Sequence, residues 1–147
     1  MKLYAPLLSR WLRWLISISL AALIFYASII TIPPETVIDG GKPDPIPLDK
    51  WRHFVAYAAL GYAFAYATAD WKIENRFLAV LVIGSTILYG IGIEFGQSLI
   101  ARRYFSVSDA YANAFGGLLV IPWYLFRSHV EFVPFRSFIK NTVSWPE

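Results

Sequence analysis

The chain has 147 residues, of which 57% are hydrophobic and only 16% charged. A soluble domain carries about 25% charged residues, so this composition points to a membrane rather than to water. With no cysteine, disulfides, thiolate catalysis and cysteine metal sites are excluded, and a net charge of +3 spread along the chain gives no footprint for nucleic acid.

A helix needs about 20 apolar residues to cross a bilayer core. The first such run is Leu12 to Ile32, preceded by Lys2, Arg10 and Arg13 and closed by Pro33-Pro34. It is long for a signal peptide and no small-x-small cleavage pattern follows, so it reads as a retained first span. Residues 33–48 are rich in proline and glycine, which predicts a loop. The second span runs from about His53 to Ala69, ended by Asp70, Lys72, Glu74, Asn75 and Arg76. The third starts at Phe77 and carries Glu94 and Gln97 within the same helical run. A basic connector, Ala101-Arg102-Arg103-Tyr104-Phe105, leads to Ser106 and a fourth span from about Ala110 to Phe126. The tail from Arg127 to Glu147 mixes Phe, Trp, Arg and Lys, which suits a position along the membrane interface. The expected fold is all-α, an integral membrane bundle of four transmembrane helices over residues 1–126 with an interfacial tail over 127–147.

Basic residues favour the cytoplasmic side of a span. With the N-terminus inside, Lys2, Arg10, Arg13, Lys72, Arg76, Arg127, Arg136 and Lys140 fall inside, against Lys42, Lys50, Arg52, Arg102 and Arg103 outside. The bias predicts a multi-pass protein of the inner (plasma) membrane with both termini cytoplasmic.

Whatever the orientation, the polar residues should converge. Asp49, Lys50, Trp51, Arg52 and His53 start the second span; Glu94, Gln97, Arg102 and Arg103 end the third; Ser106, Asp109 and Asn113 open the fourth. Consecutive spans are antiparallel, so these groups share one side of the membrane. Residues three or four apart share a helix face, which aligns Asp49, His53 and Tyr57, then Glu94 and Gln97, then Asp109, Asn113 and Gly116. An acid inside a span costs a few kcal/mol and normally faces a partner or a wet cavity. Glu94 therefore predicts a polar pocket. Plainer roles stand beside this. Ser106 with Asp109 fits a helix-capping box, and Lys50, Arg52, Arg102 and Arg103 fit headgroup anchors. His53 alone fits a hydrogen-bonded structural residue. Gly84, Gly90, Gly92, Gly96, Gly116 and Gly117 are expected to permit close helix contacts.

The run Glu94-Phe-Gly-Gln97 through Arg103, Ser106, Asp109 and Asn113 to Gly116 resembles the signature of the VanZ-like membrane proteins, and Asp49-Lys50-x-x-His53-x-x-x-Tyr57 resembles that family's upstream block. Together the blocks span residues 49–120. Ala101-Arg102 stands where the family has Pro-Gly and Val120 where it has a glycine, which predicts a blunter turn and looser packing of the fourth span. The resemblance implies a prokaryotic envelope protein whose namesake confers resistance to the glycopeptide teicoplanin. It supplies no established reaction, and resistance is not transferred with it.

Two functions follow as expectations. In the first, the pocket binds an anionic lipid or a lipid-linked cell-wall precursor at the outer leaflet through Asp49, Lys50, His53, Tyr57, Glu94, Gln97, Arg103, Ser106, Asp109 and Asn113, the bases matching phosphate or carboxylate. In the second, an intramembrane enzyme uses Glu94 or Asp109 as acid or base, His53 as proton carrier and Arg103 as anion clamp. A transporter is disfavoured because the motifs lie at one end. No cofactor and no resident metal are expected, a cation on Asp49, Glu94 and Asp109 being the minor alternative.

Overall fold

The structure, a computed structural model, describes residues 3–30, 48–101 and 103–143. Strand β1 (Leu3–Leu7) precedes helix α1 (Arg10–Phe25), which ends in a π-helical turn over Tyr26–Ile30. Helices α2 (Leu48–Ala67), α3 (Asn75–Ser98), α4 (Val107–Leu118) and α5 (Ile121–Phe126) follow, then strand β2 (Val130–Pro134) and helix α6 (Phe135–Val143). The expected proline-rich loop lies outside the described residues.

The expectation of a purely helical chain is corrected on one point. Strands β1 and β2 pair in parallel, Leu3 opposite Val130 through Leu7 opposite Pro134. The apolar segments before the first span and after the fourth are too short for helices but long enough for a ladder, and the pairing ties the tail to the N-terminus. The Tyr66 hydroxyl donates to Pro6 O and accepts from Leu8 N, both at 3.0 Å, which fastens this ladder to the end of α2. The expected fourth span is also broken. Backbone turns at Leu119 and Val120, ahead of Pro122, separate α4 from α5 because proline cannot donate in a continuing helix.

Two helical stretches are long and apolar enough to cross a membrane, Arg10–Ile30 with 21 residues and Asn75–Ser98 with 24. Their surfaces are the reverse of a soluble core. Leu15, Ile18, Leu23, Val80, Leu88 and Phe95 are exposed, whereas Arg13, Ser17, Thr86 and Glu94 are buried. Such a chain hides its polar groups and offers its apolar ones to the surroundings, as lipid requires and water penalises.

The core sits between α2, α3 and α4, and the most extensive helix contact is between α2 and α4. Gly116 makes that contact: a Cβ built there would lie 2.3 Å from Phe54 O and 3.1 Å from Ala58 N, so the two backbones touch. Gly61 faces Gly117 O one level further along. Small residues allow this approach where no water is available to drive association. The remaining glycines divide. Gly90 and Gly96 are also crowded, but a Cβ at Gly84 or Gly92 would meet nothing within 4 Å, so these two face outward rather than into a contact. Val120 does not loosen the bundle as expected. It is fully buried with Ala65, Leu78, Val82 and Tyr124 and fills the space a glycine would leave.

Gly116→Ala should therefore destabilise the protein by about 1–3 kcal/mol, the ordinary cost of overpacking. Gly84→Ala and Gly92→Ala should leave stability unchanged. Thermal unfolding in detergent, compared across the three variants, checks the contrast.

Candidate functional site

The close α2–α4 contact decides which side chains meet at the end of the bundle where α2 and α4 begin and α3 ends. Ser106 caps α4, its hydroxyl accepting from Asp109 N at 3.2 Å. Only half of the capping box forms, because the Asp109 carboxylate turns away to the Lys50 ammonium of α2. Lys50 also holds Asp49 at 2.9 Å. One turn deeper, His53 Nδ1 lies 2.9 Å from Asn113 Oδ1, and Asn113 Nδ2 donates to Glu94 Oε1 at 3.4 Å. The amide fixes the direction of this chain. Its NH2 serves the carboxylate, so its oxygen must accept, and the proton of a neutral His53 sits on Nδ1. His53 Nε2 then keeps its lone pair, 3.9 Å from Asp109 Oδ1.

Glu94 and Asn113 are fully buried, and Glu94 Oε2 makes no hydrogen bond. Gly90 gives them room: a Cβ there would meet both Asn113 Cβ and Tyr57 Cε1 at 2.9 Å. Tyr57, predicted to line the pocket, is buried beside this glycine with an unbonded hydroxyl. His53, Glu94 and Asp109 each place one potential ligand atom within 4.8 Å of the other two. Asp49, by contrast, is largely exposed and stays with Lys50.

Two predicted pocket residues have a different environment. Gln97 Nε2 donates to Ser28 O at 3.0 Å, and Arg103 Nη1 donates to the same carbonyl. Both clamp the π-turn of α1 to the end of α3. The connector still closes without Pro-Gly, through a turn in which Arg103 N donates to Ile100 O at 3.1 Å. Arg52 is exposed at the start of α2, and Arg102 lies outside the described residues.

A second polar cluster sits at the opposite end of α2. Arg13 is almost fully buried and donates to Tyr66 O and Ala67 O at 3.0 and 3.1 Å, satisfying carbonyls that the last turn of α2 leaves open. It pairs with Asp70 at 2.9 Å, and Arg10 joins at 3.0 Å. Arg127 reaches Asn75 and donates to Ala69 O at 2.7 Å. Read as a topological charge alone, Arg13 hid this role, although a base set within an apolar run was its signal. Burial disfavours the charged form of Asp70, but the hydrogen bonds and charges of Arg13 and then Arg10 outweigh it and hold the carboxyl below its usual 3.8. A lowered carboxyl favours the folded state above the unfolded value, and that contribution is lost as pH falls through the lower folded one. Asp70→Asn should thus lower stability near neutral pH and flatten its fall between about pH 5 and pH 2, as thermal unfolding across pH would show.

Searches among curated proteins and among solved structures found no match. Residues 11–128 match the VanZ/LLP1 family model, which extends the resemblance from the two signature blocks to α1 and α5; the chain is a member of the VanZ/LLP1 family.

Proposed function

We propose that this is a four-span envelope protein that binds the anionic headgroup of a lipid or lipid-linked cell-wall precursor at the outer leaflet. The observation that carries the reading is the convergence of Lys50, His53, Glu94, Asp109 and Asn113 from three helices at one end of an otherwise apolar bundle. Packing alone gives no reason to bury an acid, an amide and an imidazole together at membrane depth. Lys50 stands at the mouth and can exchange its carboxylate partners for a phosphate oxygen. Arg52 beside it adds a second exposed cation.

Sidedness follows from the opposite end. Arg10, Arg13, Lys72, Arg76 and Arg127 cluster there, with Trp14 and Trp71 rings 6.3 Å apart and Trp123 against Phe132 at 5.7 Å. Aromatic rings suit either interface, and the basic residues support placing this end at the cytoplasmic side. Spans two and four are then α2 and the broken α4–α5 pair, packed against the two longer apolar helices.

The oriented histidine favours a second reading, an intramembrane enzyme in which His53 Nε2 accepts a proton and the Glu94–Asn113 chain holds its ring. Arg103 Nη1 donates to Ser28 O, which holds its guanidinium against the end of α1.

Protein purified with Lys50→Gln and Arg52→Gln together should retain several-fold less anionic lipid than wild type, with zwitterionic lipid unchanged; equal retention removes the binding reading. Since the chain has no cysteine, single probes report sidedness cleanly. Trp51→Cys should react with an impermeant maleimide on intact cells, and Ser128→Cys only after lysis. For the enzyme reading, Glu94→Gln should abolish complementation of a deletion phenotype.

A further inference from the structure

Glu94 and the lone pair of His53 raise a question the anion-binding reading does not answer. The Glu94 carboxyl is fully buried with Oε2 unbonded, an arrangement that a proton or a cation would satisfy. Among the described residues, the carboxylates of Asp49, Glu94 and Asp109 gather here with the ammonium of Lys50, and exposed Arg52 stands beside them. With Lys50 kept by Asp49, the Glu94 and Asp109 carboxylates carry two negative charges that a divalent cation would neutralise.

We propose that His53, Glu94 and Asp109 bind one divalent transition-metal ion of the zinc or manganese kind. The donor set fits such ions, since imidazole with carboxylates selects against the all-oxygen environment of calcium and magnesium. Each residue offers one donor atom within 4.8 Å of the others. Bonds of about 2.1 Å in a tetrahedron set ligands about 3.4 Å apart, so closure requires side-chain movement of roughly an ångström. Asn113 is the positioning residue. By accepting from His53 Nδ1–H it fixes the tautomer that leaves Nε2 free, the usual arrangement behind a metal-bound histidine. It also donates to Glu94 Oε1, orienting a second ligand. The Lys50 ammonium pairs with Asp109 and would keep Asp49, at 2.9 Å, as its partner once a metal takes Asp109. The site stands whether or not the headgroup reading holds.

The full chain, purified in detergent and stripped with a chelator, is titrated with Zn2+ and with Mn2+, and bound metal is counted by mass spectrometry. One ion per chain is expected. Asp109→Asn and Glu94→Gln should each weaken binding at least about tenfold, the scale on which even outer-shell changes act. His129→Ala, at the far end, should change nothing. Lys50→Met should tighten binding, because it removes the cation that competes for Asp109 and touches no ligand. Absence of stoichiometric binding overturns the proposal, as does binding that Asp109→Asn leaves intact. If the ligand variants fail to fold, Lys50→Met decides alone: affinity that does not rise overturns the site.

Discussion

The approach of α4 to α2 at Gly116 sets the geometry of everything at that end of the molecule. A methyl group there would overlap the Phe54 carbonyl at 2.3 Å, so only glycine lets the backbones meet. Lys50 lies about one turn before Phe54 and His53 immediately before it, and Asp109 and Asn113 lie one to two turns before Gly116. Bringing the helices into backbone contact therefore brings the two pairs into register. Lys50 meets Asp109 and His53 meets Asn113 because the turn beyond them is small. Gly90 performs the matching service for α3, admitting Tyr57 and Asn113 beneath Glu94.

The two ends of α2 solve the same electrostatic problem in different ways. At its C-terminal end, buried Arg13 bonds two carbonyls and pairs with Asp70, so that charge cluster holds α1, α2 and the following turn together, with Arg13 Nε and Asp70 Oδ1 left unbonded. At its N-terminal end the ledger is incomplete: Glu94 Oε2 and the Tyr57 hydroxyl are buried without partners, and His53 presents a lone pair. Each unsatisfied buried polar atom costs on the order of 1–3 kcal/mol, and both ends carry some. What distinguishes the candidate site is that potential ligand atoms of His53, Glu94 and Asp109 converge there, whereas Asp70 at the other end is paired with two arginines.

The placement of Gln97 and Arg103 shows how a shared motif can divide its labour. Both belong to the run that carries the family resemblance, and both bind Ser28 O. A π-turn shifts the backbone pairing and leaves that carbonyl accessible, which no reading of residues 94–116 alone would reveal. Their role is to position the end of α3, and through it Glu94, against α1.

The sequence by itself determined the membrane class, the helical segments and the side on which the polar residues gather. Those follow from apolar run length and from the antiparallel order of consecutive helices, both local properties. It also determined the Ser106 cap, which depends on residues three apart. The tertiary structure alone decided which polar residues touch. It separated Gln97 and Arg103 from the His53 cluster, turned Gly84 and Gly92 outward, assigned Arg13 to the carbonyls of α2 and paired β1 with β2. Each of these depends on the relative rotation and approach of elements far apart in the chain, and helical periodicity fixes a face without fixing what that face meets.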